Sequence, residues 1–128
     1  MKFTESLKKK FQFRYVYNRG RSIANRHLVM YAVKNGTQGN KLGISVSKKV
    51  GKSVVRSRVT RLIRESYREI EPQLRCGYDL VVIARVTCKE ASYQEVQMSL
   101  RHLFKKHQLL SPQEKIAEKE RKECGKNG

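Results

Sequence analysis

Residues 45 to 65 read Ser-Val-Ser-Lys-Lys-Val-Gly-Lys-Ser-Val-Val-Arg-Ser-Arg-Val-Thr-Arg-Leu-Ile-Arg-Glu. This stretch constrains the fold more than any other. Its order is a strand end, a basic turn and then a helix crowded with arginine. At 100° per residue, Val55, Val59, Leu62, Ser66 and Ile70 fall on one side of that helix. Ser57, Arg61, Arg64 and Arg68 form a stripe nearly opposite, while Arg56 and Arg58 sit on the two flanks. Glu65 and Glu69 are the sole carboxylates on the helix to answer these cations. Such a helix buries one face and offers the other to something anionic.

The rest of the composition agrees. The chain has 128 residues, which suits one domain with a modest core, and carries 29 Lys and Arg against 11 Asp and Glu, a net charge of +18. Residues 111–128 contribute five basic and four acidic side chains, or +1, so residues 1–110 hold +17. That density of like charge opposes compaction and attracts a polyanion, with nucleic acid the first candidate and an anionic membrane the second. Cys76, Cys88 and Cys124 are odd in number and widely spaced, with no C-x-x-C pair. This speaks against a disulfide framework or a zinc site and fits a reducing cytoplasm. No apolar h-region opens the chain, and no apolar run reaches the length of a membrane helix.

Taken in order, residues 1–10 read as charged and frayed. Phe11 to Asn18 reads as a short helix ending at Gly20, with Phe13, Val16 and Tyr17 on one face. Val16 suits a core. Phe13 and Tyr17 stay open between the same core stripe and base stacking, since Arg14 and Arg19 lie close by and rings among cations are also how proteins stack unpaired bases. Arg21 to Val33 reads as extended, with Leu28, Met30 and Ala32 facing one way and His27, Val29, Tyr31 and Val33 the other. The turn cluster at 35–40 suggests a hairpin into a strand from Lys41 to Ser47. There Leu42, Ile44 and Val46 share one face and Gly43, Ser45 and Ser47 the other. The arginine helix is expected from Ser53 to Glu69, stopped by Pro72. A buried strand from Tyr78 to Arg85 then implies a parallel crossover. Ser92 and Glu95 have capping-box spacing ahead of a stripe of Tyr93, Val96, Leu100, Leu103, Phe104 and His107. From Ser111 hydrophobes nearly vanish, the composition of a flexible tail. The domain is therefore 1–110 and the tail 111–128.

Covalent chemistry finds little footing. Gly51-Lys52-Ser53 evokes a phosphate-binding loop, but Val46 stands where that motif needs its first glycine. His102 and His107 are about 140° apart on a helix and make poor joint ligands. His107 fits a packed role and Asp79 a structural hydrogen bond. No carboxylate pair lies among the basic residues, and no G-x-S-x-G appears. No catalytic residue and no metal ligand is assigned. What remains is binding, since guanidinium groups match phosphate oxygens bidentately.

At Lys48 to Glu65 the chain resembles the bacterial ribonuclease P protein family, whose signature is a basic turn followed by a helix containing Arg-Asn-Arg. The likeness extends through Gly20 to Arg26, Tyr31, Asp79 to Arg85 and Ser99 to Phe104, spanning about residues 8–107. It implies an α+β sandwich in α-β-β-β-α-β-α order, with a four-stranded sheet and one left-handed parallel crossover, against the usual hand. It implies that a partner RNA with bound Mg2+ is the catalyst, cutting the 5′ leader from precursor tRNA, and that the protein alone is inactive. Carried over, Lys48, Lys49, Lys52, Arg56, Ser57, Arg58, Arg61, Arg64 and Arg68 would face the catalytic RNA. Phe13, Tyr17, Arg26, Tyr31, Ser45 and Ser47 would line a leader cleft. The implied setting is the cytoplasm, with no membrane partner and no organic cofactor.

Two positions depart from the family pattern. Ser57 replaces the asparagine and offers one hydroxyl for an amide's two ends. Thr60 replaces a frequent lysine. The competing readings are a small ribosomal or structured-RNA-binding protein, a lone metal-dependent nuclease, and a DNA-binding regulator.

Overall fold

The computed structural model describes residues 4–110. The elements are β1 (Thr4–Ser6), α1 (Lys10–Arg19), β2 (Arg21–Ala24), β3 (Leu28–Lys34), β4 (Asn40–Ser45), α2 (Ser53–Ile70), β5 (Tyr78–Ala84) and α3 (Tyr93–Lys106), with short 3-10 turns at Glu71–Gln73 and Val86–Glu90. The strands form one sheet in the order β1-β4-β5-β3-β2. The proposed tail, 111–128, lies outside the described residues.

The sheet has five strands, not the expected four. β1 comes from the segment read as frayed: Thr4 to Ser6 pair parallel with Asn40 to Leu42. A three-residue polar strand has no periodic signal, and tertiary contacts hold it. The Thr4 hydroxyl lies 2.6 Å from the buried Tyr67 hydroxyl and donates to Glu71 Oε2 at 2.5 Å. Leu7, just beyond, is buried.

The hairpin expected at 35–40 is also corrected. β3 and β4 are not neighbours, because β5 runs between them, antiparallel to β3 and parallel to β4. The connection steps over β5 instead of folding back beside it. Asn35 organises the step: its amide donates to Asp79 Oδ1 at 2.9 Å and to the Gly39 carbonyl at 3.1 Å, and its Oδ1 accepts from the Thr37 amide at 2.8 Å. Gly36, at φ +72°, supplies a backbone turn that L side chains resist. Asp79 thus has the structural hydrogen bond expected of it. The hairpin that does form joins β2 to β3.

Helices cover both faces of the sheet. On one, α2 and α3 pack over Leu28, Met30, Leu42, Leu80 and Val82. The buried stripe of α2 is Val59, Leu62, Ile63, Ser66, Tyr67 and Ile70, wider than the pattern suggested by Ile63 and Tyr67. Ser92 and Glu95 make the expected capping box at the start of α3, each side chain accepting from the other's amide. On the opposite face α1 lies over Val81, with Leu7 and Val16 buried beside it and Phe13, Tyr31, Val33 and Ile83 around them. Cys88 is free and buried, and burial pushes its thiol up to about 11. The reading of the cysteines as a set also involves Cys124, outside the described residues.

His107 closes α3 and hydrogen-bonds the Met30 carbonyl through Nε2 at 3.0 Å. Burial lowers its pKa below 6.5, the Met30 carbonyl opposes this, and the charge of Arg21 adds to it. The unfolded chain therefore takes up the proton first. The stabilisation is complete above pH 6.5 and is lost as the pH falls through the folded-state value. Melting temperature should drop on acidification through this range, and more steeply than in His107→Gln. Parallel curves would remove His107 from the account.

Candidate nucleic-acid interface

Two surfaces emerge, on opposite sides of the sheet. The first is the outward face of α2. Its inward face is fastened by aliphatic burial, which leaves Ser57, Arg61, Arg64 and Arg68 exposed in one stripe. Lys48, Lys49 and Lys52 are exposed in the turn that leads from β4 into α2, so turn and stripe form one cationic surface. Between α2 and the end of β4 lies an open groove of about 450 Å³, lined by Ile44, Val46, Ser53, Arg56, Ser57, Thr60, Arg61 and Arg64.

Not every predicted cation points freely outward. Arg58 donates to the carbonyls of Ala91 at 3.1 Å and Lys89 at 3.4 Å. It braces α2 against the turn before α3, although its side chain stays exposed. Arg56 is half-buried, with a buried Nε that has no hydrogen-bond partner among the described residues, and its carbonyl accepts the Thr60 hydroxyl at 2.8 Å. Thr60 therefore spends its hydroxyl on the helix backbone. Sequence spacing missed the groove because Ile44 and Val46 read simply as core; both are half-buried at the margin of the cluster.

The second surface is the cleft between α1 and the sheet. Phe13 and Tyr17, one helical turn apart, have ring centroids 6.4 Å apart, and Tyr17 meets Tyr31 edge-on at 5.0 Å. Burial raises the Tyr17 phenol above its ordinary pKa, a side-chain hydrogen bond with Ser45 opposes this, and Tyr31 adds to it. The bond with Ser45 ties α1 to β4. Ser47 lies exposed just past the strand. A Cβ at Gly43 would fall 2.6 Å from Phe13 Cε1, so the absence of a side chain there seats the ring. The strand pattern put Gly43 on the face of Ser45 and Ser47 but gave no sign that a ring packs against it. Arg26, expected in the cleft, is exposed in the turn between β2 and β3, where its carbonyl accepts from the Thr87 hydroxyl and its charge acts on Glu95 of α3, so it is not brought together with the rings. The Ser92 amide and hydroxyl hold the Glu95 carboxyl below its ordinary pKa, with smaller help from His27 and Arg26. Among the described residues no group of three or more His, Cys, Asp and Glu could hold a metal ion.

The model of the family described as Ribonuclease P matches residues 1–108. The chain belongs to the ribonuclease P protein family. It is 50% identical over 111 residues to the ribonuclease P protein component of Alkaliphilus metalliredigens, covering 87% of this chain and all of that one. It is 51% identical to that of Lachnoclostridium phytofermentans, covering 87% and 96%. Among solved structures, a mutant Staphylococcus aureus RNase P protein aligns at 36% identity and TM-score 0.77 over 82% of this chain and 89% of that one. The RNase P protein from Thermotoga maritima aligns at 30% and 0.73, over 80% and 96%. The chain is thus a protein subunit of the endoribonuclease that matures tRNA 5′ ends. No helix among the described residues is long and apolar enough to cross a membrane.

Proposed function

We propose that this ribonuclease P protein holds two RNAs on separate surfaces, in the cytoplasm, and leaves phosphodiester cleavage to one of them. The observation that carries the reading is the segregation of chemistry across the sheet: an almost one-signed guanidinium stripe on the α2 side and an aromatic cleft on the α1 side. The stripe of Arg61, Arg64 and Arg68, with Ser57, Arg56 and the three turn lysines, binds phosphates of the catalytic RNA. Arg58 supports that surface by bracing α2 and presents its remaining donors at the edge. The cleft of Phe13, Tyr17, Tyr31, Ser45 and Ser47 takes the single-stranded 5′ leader, and Arg26, whose charge acts on Glu95 of α3, is left out of it.

The two RNAs repel each other, and the +17 of residues 1–110 attracts both. The protein's part is to bring them together and hold the leader. Rings stack bases without regard to sequence, which suits a leader that varies between tRNA genes. Magnesium enters this reading through the catalytic RNA, and no step is routed through a protein-bound ion.

Reconstituted holoenzyme should bind precursor tRNA more tightly than the leaderless product. Phe13→Ala should remove about 1–3 kcal/mol of that preference while leaving assembly with the catalytic RNA nearly intact. Equal affinity of the unsubstituted enzyme for the two tRNA forms would favour a general structured-RNA binder. Specific cleavage by protein free of RNA would refute the division of labour.

A further inference from the structure

The cleft uses one face of α1. The opposite face carries Phe11 and Tyr15, one turn apart, 63% and 44% exposed. At 100° per residue Phe11 points about 200° away from Phe13, so these rings cannot reach the cleft. Neither belongs to a core cluster. Each ring has a cation over it: Lys9 Nζ is 5.8 Å from the Phe11 centroid, and the Arg19 guanidinium carbon is 5.4 Å from that of Tyr15. Residues 8–19 hold five cations, Lys8, Lys9, Lys10, Arg14 and Arg19, and no carboxylate.

Two exposed rings are poor economy on a helix that already buries Val16 and seats Phe13. A cation can cover one face of a ring, and the exposure of these two leaves surface for a second planar partner. Flanking positive charge favours a partner that is both planar and anionic. Alternating base and phosphate meets both demands, as in unpaired RNA. A docking protein would need acidic groups to match, and the cleft on the same helix gives RNA the continuous path.

We propose that the outer face of α1 is a second stacking surface, binding leader nucleotides 5′ of those held in the cleft. The inference rests on the cleft being the leader site. The leader would leave the cleft and wrap over α1, with one base on Phe11, one on Tyr15, and backbone phosphates near Lys9, Arg14 and Arg19. Long leaders would therefore reach a surface that short ones cannot.

Exposed side chains can be replaced with little risk to folding, so Phe11→Ser/Tyr15→Ser is a clean probe. Reconstituted holoenzymes carrying no substitution, this pair or Phe13→Ala are titrated with two precursor tRNAs, one whose leader ends within the cleft and one whose leader extends beyond it. The outer pair should lower affinity for the long leader about 5-fold or more and leave the short leader and catalytic-RNA assembly unchanged. Phe13→Ala should lower both affinities. Unchanged affinity for both leaders in the outer pair would overturn the proposal and leave this face to a membrane or a protein. An equal loss for both leaders, or a loss of assembly, would overturn it in favour of binding to the catalytic RNA. An effect of the outer pair with none from Phe13→Ala would overturn the cleft reading and the wrapped path with it.

Discussion

Joint replacement of Arg61 and Arg64 by alanine should cost the holoenzyme more than any other exposed pair. Both guanidinium groups stand in the exposed stripe and line the groove beside β4. Hydrogen bonds to charged groups contribute about 1.5–3 kcal/mol each, so assembly with the catalytic RNA should weaken by at least two orders of magnitude. The dependence of log K on log salt should flatten by about one unit for each phosphate that is no longer neutralised. The fold should be indifferent, since the buried stripe of α2 is untouched. Filter binding or calorimetry across a salt series, beside melting curves, reads both quantities. A large loss of affinity with an unchanged salt slope would show that these arginines do not neutralise phosphate. The α2 assignment would then fail.

Gly43→Val should be the most damaging single substitution in the proposed leader cleft. An added Cβ would lie 2.6 and 2.7 Å from the Phe13 ring and 3.2 Å from Leu7 Cδ1. The two γ-carbons of valine need still more room. β4 cannot retreat, because it is paired with β1 on one side and β5 on the other. The ring must therefore leave its seat, or α1 must lift. Overpacking of this kind costs about 1–3 kcal/mol of stability. Losing the stacking platform should remove a similar amount from leader affinity. Precursor binding should fall toward the level of leaderless tRNA, while catalytic-RNA assembly, on the other side of the sheet, stays near normal. Full precursor preference in a folded Gly43→Val protein would show that Phe13 does not hold leader. Gly43→Ala grades the effect, since one methyl group leaves the ring some room to slide.

Local pattern made much of this legible. The α2 stripe could be read because helical periodicity and burial agree over 18 residues. The cap of α3 could be read because its two side chains interact within one turn. The ring cluster was half legible. Phe13 and Tyr17 share a helix face by spacing, but Tyr31 joins them from a strand 14 residues further along the chain. Arg58 shows the limit: its flank position was correct, yet the carbonyls it binds lie more than 30 residues further on.

The sequence by itself determined the helices, the buried face of each, the basic stripe and the family, because all of these rest on residues close together along the chain. The tertiary structure decided that Thr4–Ser6 is a strand, that β5 parts β3 from β4, and that a glycine seats the ring of Phe13. Strand order and close approach depend on which distant segments share backbone hydrogen bonds and space, and local periodicity carries no record of that choice.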